Sequence, residues 1–221
     1  MPAYTSPEHH PAFEEYCETI FELEEDGVRV IQARIVERLG VTRPAVSEMI
    51  KRLDAEGLVT VSDTISLTAA GRRLATTMVR RHRLAERFLT DVLHLSWAEA
   101  HHEAGKWEHV ISPEVEKALA DLLENPTTCP HGNPIPGSGY QATAVQTLAD
   151  LTIGEGFTIA RIPEELEFAE GMLEFLESSD LIPGSDGSVV AVSPDGTTTV
   201  DIGGSIVGLG SFVVDRILVE A

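Results

Sequence analysis

At 221 residues, 43% of them hydrophobic, the chain can bury a full core and hold two or three small domains. No apolar run approaches the roughly 18–20 residues that span a bilayer, and the opening MPAYTSPEHHPAFEEY lacks a basic stretch followed by an apolar one, so neither a membrane span nor a secretory signal is expected. The net charge of −20 argues against nucleic-acid binding until its distribution is read: residues 1–90 carry 12 of the 16 Lys and Arg and 14 of the 36 Asp and Glu, a net of −2, and the remainder carries −18. DNA affinity rests on neutralised phosphates. The basic cluster Arg43, Lys51, Arg52, Arg72, Arg73, Arg80, Arg81 and Arg83 therefore permits DNA binding at the N-terminal end, while the acidic remainder suits cation binding or plain solubility. Two cysteines, Cys17 and Cys129, make no disulfide framework and fit a cytoplasmic chain with free thiols.

In chain order, residues 12–26 place Phe13, Tyr16, Cys17, Ile20, Phe21 and Leu23 at near-helical spacing, which predicts a helix ending near Gly27. Residues 31–39 predict a second short helix stopped by Gly40. A third follows over 44–53, with Thr42 as cap and Pro44 in its first turn. Two helices joined by the Val41-Thr42-Arg43 turn match a helix-turn-helix. The alternation through residues 58–67, turning at Asp63-Thr64, predicts a β-hairpin wing. A long helix is expected over 69–93 and one or two more over 97–123; the surplus of apolar positions on them suggests a helical dimer interface. Residues 125–140, rich in Pro and Gly, read as a connector. Beyond it, β patterns at 157–162, 188–192, 198–202 and 217–219, with one helix over 164–178, predict a small SH3-like barrel. The fold class expected is mostly α with small β: a winged helix-turn-helix over 1–75, a helical domain over 76–140 and an SH3-like barrel over 150–221.

The chemistry concentrates in RRHRLAERF at 80–88 and HHEAGKWEHV at 101–110. On helices, His82 and Glu86 stand one turn apart, and His101, Glu108 and His109 share a face at i, i+7 and i+8. Imidazoles and carboxylates so spaced can converge on a divalent cation. Taken alone, each pair also reads as an ordinary surface pair, and the acids of the first helix, Glu15 and Glu18 among them, also read as a solvated face.

The segments ARIVERLGVTRPAVSEMIKRLDAEGLV, RRHRLAERFLTDVL, EAGKWEHVIS and GNPIPG, in this order, resemble the diphtheria toxin repressor family of metal-dependent transcriptional repressors. The similarity runs from about Phe13 to residue 137 and more weakly through the C-terminal barrel. It implies a winged-helix DNA-binding domain, a helical dimerisation domain and an SH3-like (FeoA-like) third domain. It also implies a homodimer that binds a palindromic operator when metal is bound and represses metal-uptake genes. Residue by residue, the ancillary metal site falls on His82, Glu86 and His101, with Glu164 and Glu167 of the third domain. The primary site falls on Glu108 and His109. Where iron-type members carry a methionine this chain has Glu15, which together with Glu18 points towards manganese-type members; where they carry a cysteine it has Gly105, able to offer only a backbone carbonyl. Cys129 and His131 resemble the Cys-Pro-His of streptococcal manganese repressors and form a competing completion of the second site. The DNA-facing positions fall on Thr42, Pro44, Ser47 and Glu48, with Arg43, Lys51 and Arg52 as phosphate contacts. Mn(II) is the expected metal, Fe(II) the alternative. A dinuclear metalloenzyme is the reading from another class, but no nucleophile or phosphate loop accompanies the donors, so no enzymatic activity is expected.

Overall fold

In the computed structural model, which describes residues 11–221, the apolar positions of the N-terminal third close on one another as the periodicity requires. The chain divides into two units, one ending at Arg80 and the other spanning residues 81–221. Helix α1 (Pro11–Glu25) brings Phe13, Tyr16, Cys17, Ile20 and Leu23 into a core shared with Ile35 of α2 (Gln32–Leu39) and Val46, Ile50 and Leu53 of α3 (Arg43–Ala55). Cys17 is fully buried there, and burial pushes its thiol up to about 12, so it serves as a small core residue. The wing is β1 (Val59–Val61) paired antiparallel with β2 (Ile65–Leu67), and its Leu58, Val59 and Ile65 join the same core. Thr42 caps α3 by accepting a hydrogen bond from the Ala45 amide, 3.4 Å, with Pro44 in the first turn. A buried ion pair between Arg38 of α2 and Glu22 of α1, 3.2 Å, fixes the first helix against the helix-turn-helix.

Helix α4 (Ala69–Asp91) runs from the first unit into the second. There it packs through Ala85 and Leu89 against Ala100 and Ala104 of α5 (Trp97–Trp107) and Leu119 of α6 (Pro113–Leu122). The stretch expected as one or two helices is two. Helix α5 starts in a Ser96–Glu99 capping box, and α6 restarts at Ser112-Pro113, where Ser112 caps and Pro113 opens the first turn.

The C-terminal sheet has six antiparallel strands in the order β3 (Gln146–Thr147), β8 (Leu218–Glu220), β4 (Gly156–Arg161), β5 (Asp186–Val192), β6 (Thr198–Ile202) and β7 (Ser205–Leu209). A short helix, α9 (Ser211–Val214), precedes β8. The helix expected over 164–178 is instead two, α7 (Glu164–Glu167) and α8 (Met172–Ser178), because Gly171 between them adopts φ 73°, a left-handed conformation that interrupts the helical ladder. This domain is not a loose appendage of the second unit. Trp97 of α5 lies in the apolar core of the barrel with Phe157, Ile159, Leu173 and Leu176, and its backbone amide donates to Glu177 at 3.1 Å. Among the described residues, no helix is long and apolar enough to cross a membrane.

Candidate metal centre

Helix α4 supplies His82, Arg83 and Glu86, and α5 supplies His101 from its middle turn. Glu108 is the C-cap of α5 and keeps helical dihedrals, its amide donating to the Ala104 carbonyl at 3.0 Å, and His109 follows in the turn after the helix. The connector contributes Cys129 and His131 from a tight turn closed by the Cys129 amide on the Asn133 carbonyl, 2.9 Å. Gly132 makes that turn possible. Its φ is +86°, and a Cβ there would lie 2.3 Å from the Ala160 carbonyl oxygen of β4, so only glycine lets the loop seat against the strand. From α7 come Glu164 and Glu167.

These side chains converge. His82 Nε2 lies 3.2 Å from Glu86 Oε1 and 3.4 Å from His101 Nδ1, and His101 Nδ1 is 3.0 Å from the same Glu86 oxygen. His131 Nδ1 is 2.8 Å from Glu167 Oε2 and 3.6 Å from Glu86 Oε1, while His101 Nδ1 is 3.3 Å from Glu167 Oε2. Cys129 Sγ stands 3.9 Å from His131 Nδ1. Within residues 81–221, three overlapping sets have ligand atoms within 4.8 Å of one another: His82–Glu86–His101, Glu86–Cys129–His131 and His101–Glu164–Glu167. The two pairs weighed from sequence as competing completions of the second site, Glu164 with Glu167 and Cys129 with His131, thus meet around Glu86 and His101. Glu108 Oε2 approaches His82 from the other side, 2.6 Å from Nδ1, and Glu108 Oε1 is 3.3 Å from His109 Nε2.

Burial makes this arrangement costly without a counter-charge. Glu86, Glu164, Glu167, Cys129 and His131 are all within the buried interior. Burial would raise the Glu86 carboxyl, but His131 and His82 override it and hold it well below the usual range. The same contest brings Glu167 down to about 2, chiefly through His131. Burial would depress His101, yet hydrogen bonds to Glu167 and Glu86 lift it to about 10. Of the carboxyls Glu86, Glu164 and Glu167, Glu164 alone is raised, by burial and by Glu167, against the opposing pull of Arg83. Among the buried atoms of the cluster, Glu86 Oε2, His131 Nε2 and Glu164 Oε2 have no hydrogen-bond partner, each an omission worth about 1–3 kcal/mol. A set of imidazoles, carboxylates and one thiol with unsatisfied atoms fits a divalent cation.

These shifts carry a pH signature for the chelated chain. The stability held by His101 should be complete below about pH 6.5 and drain as pH rises towards about 10; that held by Glu167 should be complete above about pH 4.5 and be lost towards about pH 2. Denaturant unfolding across pH in chelator checks this, and a flat profile from pH 6.5 to 10 would contradict it. An imidazolium must lose its proton to ligate, so metal affinity should rise over the same alkaline window.

Sequence reasoning missed the residues that hold the ligands. Arg83, counted with the DNA-facing basic cluster, is fully buried; its Nη2 donates to Glu164 Oε1 at 2.9 Å and its Nη1 to the Pro134 carbonyl at 2.5 Å. Asn133 donates to Glu167 Oε1 at 2.5 Å and to the Ile162 carbonyl at 2.9 Å, and accepts from Arg161. The signal for both lay in the repressor-like segments that contain them. On α1 of the first unit, Glu18 is buried and Glu15 exposed; in the second unit, Gly105 of α5 is exposed with open space around it. On α3 and its cap, Thr42, Arg43, Pro44, Glu48, Lys51 and Arg52 are exposed and Ser47 is half-buried, while Arg52 also stacks on Phe13, 5.1 Å from the ring centre. His9 and His10 lie outside the described residues.

Comparison with known proteins bears on this directly. Residues 10–65 match the iron dependent repressor N-terminal DNA binding domain, 68–137 the iron dependent repressor metal binding and dimerisation domain, and 146–221 the FeoA domain. The iron-dependent repressor IdeR of Mycobacterium tuberculosis is 38% identical over 204 residues, covering 86% of this chain and 88% of that protein. The chain belongs to the diphtheria toxin repressor family of metal-dependent transcriptional repressors. The diphtheria toxin repressor of Corynebacterium diphtheriae is 48% identical over 126 residues, 56% of each chain. Among solved structures, a manganese-dependent transcriptional repressor in complex with manganese superposes with a TM-score of 0.85 at 33% identity, covering 95% of this chain and 99% of the other. The manganese regulator SloR gives 0.77 at 30%, covering 96% and 99%. The winged helix-turn-helix, helical domain and SH3-like barrel expected from sequence are those of the family.

Proposed function

We propose that this repressor acts in the cytoplasm as a homodimer that binds a palindromic operator when divalent metal fills two sites on each chain. The observation that carries the reading is the convergence of seven donor side chains, Glu86 among them, in a protein that also carries a helix-turn-helix. His82, Glu86 and His101 hold the second site, with Glu164, Glu167, Cys129 and His131 completing it. Arg83 orients Glu164 and Asn133 orients Glu167. Glu108 and His109 hold the primary site, with the Gly105 carbonyl and an acid of α1. Of the two acids, Glu15 stands at the position the family resemblance points to, with Glu18 the second on the same helix.

A bound divalent cation supplies the positive charge that lets carboxylates and imidazoles from separate helices share one point. With α1 so fastened, Arg38 carries its position to α2 through Glu22, and the recognition helix α3 is held at the spacing that successive major grooves demand, about 34–36 Å. Thr42, Pro44, Ser47 and Glu48 face the bases, and Arg43, Lys51 and Arg52 the phosphates. The Glu48 carboxylate can accept from cytosine N4, which sets an operator preference.

Oxygen from α1 and the lack of a thiolate near Glu108 make the primary site hard, which favours Mn(II); the manganese-bound structural relative supports this. Fe(II) is the second reading, favoured by the iron-dependent relatives. A gel shift with and without chelator tests the proposal. Operator binding that needs Mn(II) or Fe(II) supports it, and undiminished binding in chelator contradicts it.

A further inference from the structure

Between α1 and α2 the chain runs Val28-Arg29-Val30. Val28 and Val30 pack into the core of the first unit, and Arg29 between them is exposed. Two hydrogen bonds fix where it stands. The Ile65 amide of β2 donates to the Val30 carbonyl at 3.0 Å, which lays this connection against the wing. The Arg29 guanidinium donates through Nη2 to the Asp63 carbonyl, 3.3 Å away in the turn between β1 and β2. We propose that Arg29 is a further DNA contact, a phosphate-binding residue held at the wing turn and separate from those on the recognition helix. The inference rests on the operator-binding reading above and adds a contact outside α3.

Charge and place carry this. Other arginines of the first unit are committed within the protein: Arg34 pairs with Glu37 at 2.7 Å, Arg38 with Glu22 at 3.2 Å, and Arg72 with Glu24. Arg29 has no carboxylate partner among the described residues. Its hydrogen bond goes to a neutral carbonyl, which fixes the guanidinium but leaves its charge and most of its N–H fork open to an anion. As for place, α2 opens at Gln32, just after Arg29, and is the first helix of the helix-turn-helix. In that motif the first helix crosses the DNA backbone while the second enters the major groove. A cation held beside the start of α2 therefore meets phosphate rather than base edges. Such a contact adds affinity and sets register on the duplex without reading sequence. In a chain of net charge −20, an uncancelled cation at this edge of the DNA-binding unit also offsets repulsion from the phosphates.

The test uses the full chain saturated with Mn(II) and two duplexes, one selected by the wild type from a random pool and one unrelated. Arg29→Gln should weaken binding to both by a similar factor. The slope of log K against log salt should become shallower by about 0.9 per arginine, about 1.8 for a homodimer. Arg29→Lys keeps the charge and should hold the wild-type slope. Ethylation of single phosphates in the selected duplex reads the contact directly: a phosphate whose ethylation hinders the wild type should cease to matter for Arg29→Gln. Thermal unfolding should not move, because the bond lost is a single exposed one. An Arg29→Gln salt slope equal to wild type, or an unchanged ethylation pattern, overturns the proposal. Failure of the wild type to retain any duplex in Mn(II) would overturn the operator reading itself, and this contact with it.

Discussion

Glu108→Gln and His109→Ala will each abolish metal-dependent operator binding while leaving the fold in place. Glu108 is buried and bonded to His82 at 2.6 Å, and glutamine keeps its shape and one carbonyl acceptor for the His82 N–H. What it loses is the anionic oxygen that a hard cation requires. His109 is partly exposed beside Glu108, so its truncation removes a ligand and little packing. Operator affinity at a Mn(II) concentration that saturates wild type should drop towards the non-specific level, at least about 10³-fold. Circular dichroism should be unchanged. If either variant shifts operator DNA like wild type, the primary-site assignment is wrong.

Arg83→Met should be the most damaging single change to stability in the second unit. The guanidinium is fully buried and joins α4 to Glu164 of α7 and to the Pro134 carbonyl of the connector. Methionine fills much of the volume but strands a buried carboxylate and a carbonyl oxygen. Breaking a buried pair from one side costs about 3–5 kcal/mol, far more than the net worth of the intact pair. Denaturant unfolding in chelator should show that loss, and adding Glu164→Gln should recover most of it, because the stranded charge goes with it. If the double variant is no more stable than Arg83→Met, the ion pair is not what holds the two segments together.

How much of this could be read from the chain depends on whether the signal was local. Gly40, the Thr42 cap and Pro44 are local punctuation, so the helix-turn-helix was legible; the restart at Ser112-Pro113 is equally local, but a reading by periodicity passed over it. Strand β7, Ser-Ile-Val-Gly-Leu, escaped because its exposed Ile206 and its glycine blur the alternation of an edge strand. In the site, the His82–Glu86 pair was legible by spacing and its union with His101 only through the family resemblance, but the convergence of Glu164, Glu167, Cys129 and His131 was not. It depends on the Gly132 turn seating against β4 and on Trp97 anchoring the barrel, both tertiary facts. Arg83 shows the same limit from the other side. Beside Arg80 and Arg81 it reads as part of a basic surface, and only the fold turns it inward to Glu164.

The most direct test of the metal centre is a crystal structure of the Mn(II)-loaded protein with anomalous data on both sides of the manganese edge. Two peaks per chain are expected, one bound by His82 Nε2, Glu86 and His101 with donors from the connector and α7, the other by Glu108 and His109. Manganese absent from both clusters, or bound only elsewhere on the chain, would contradict the account.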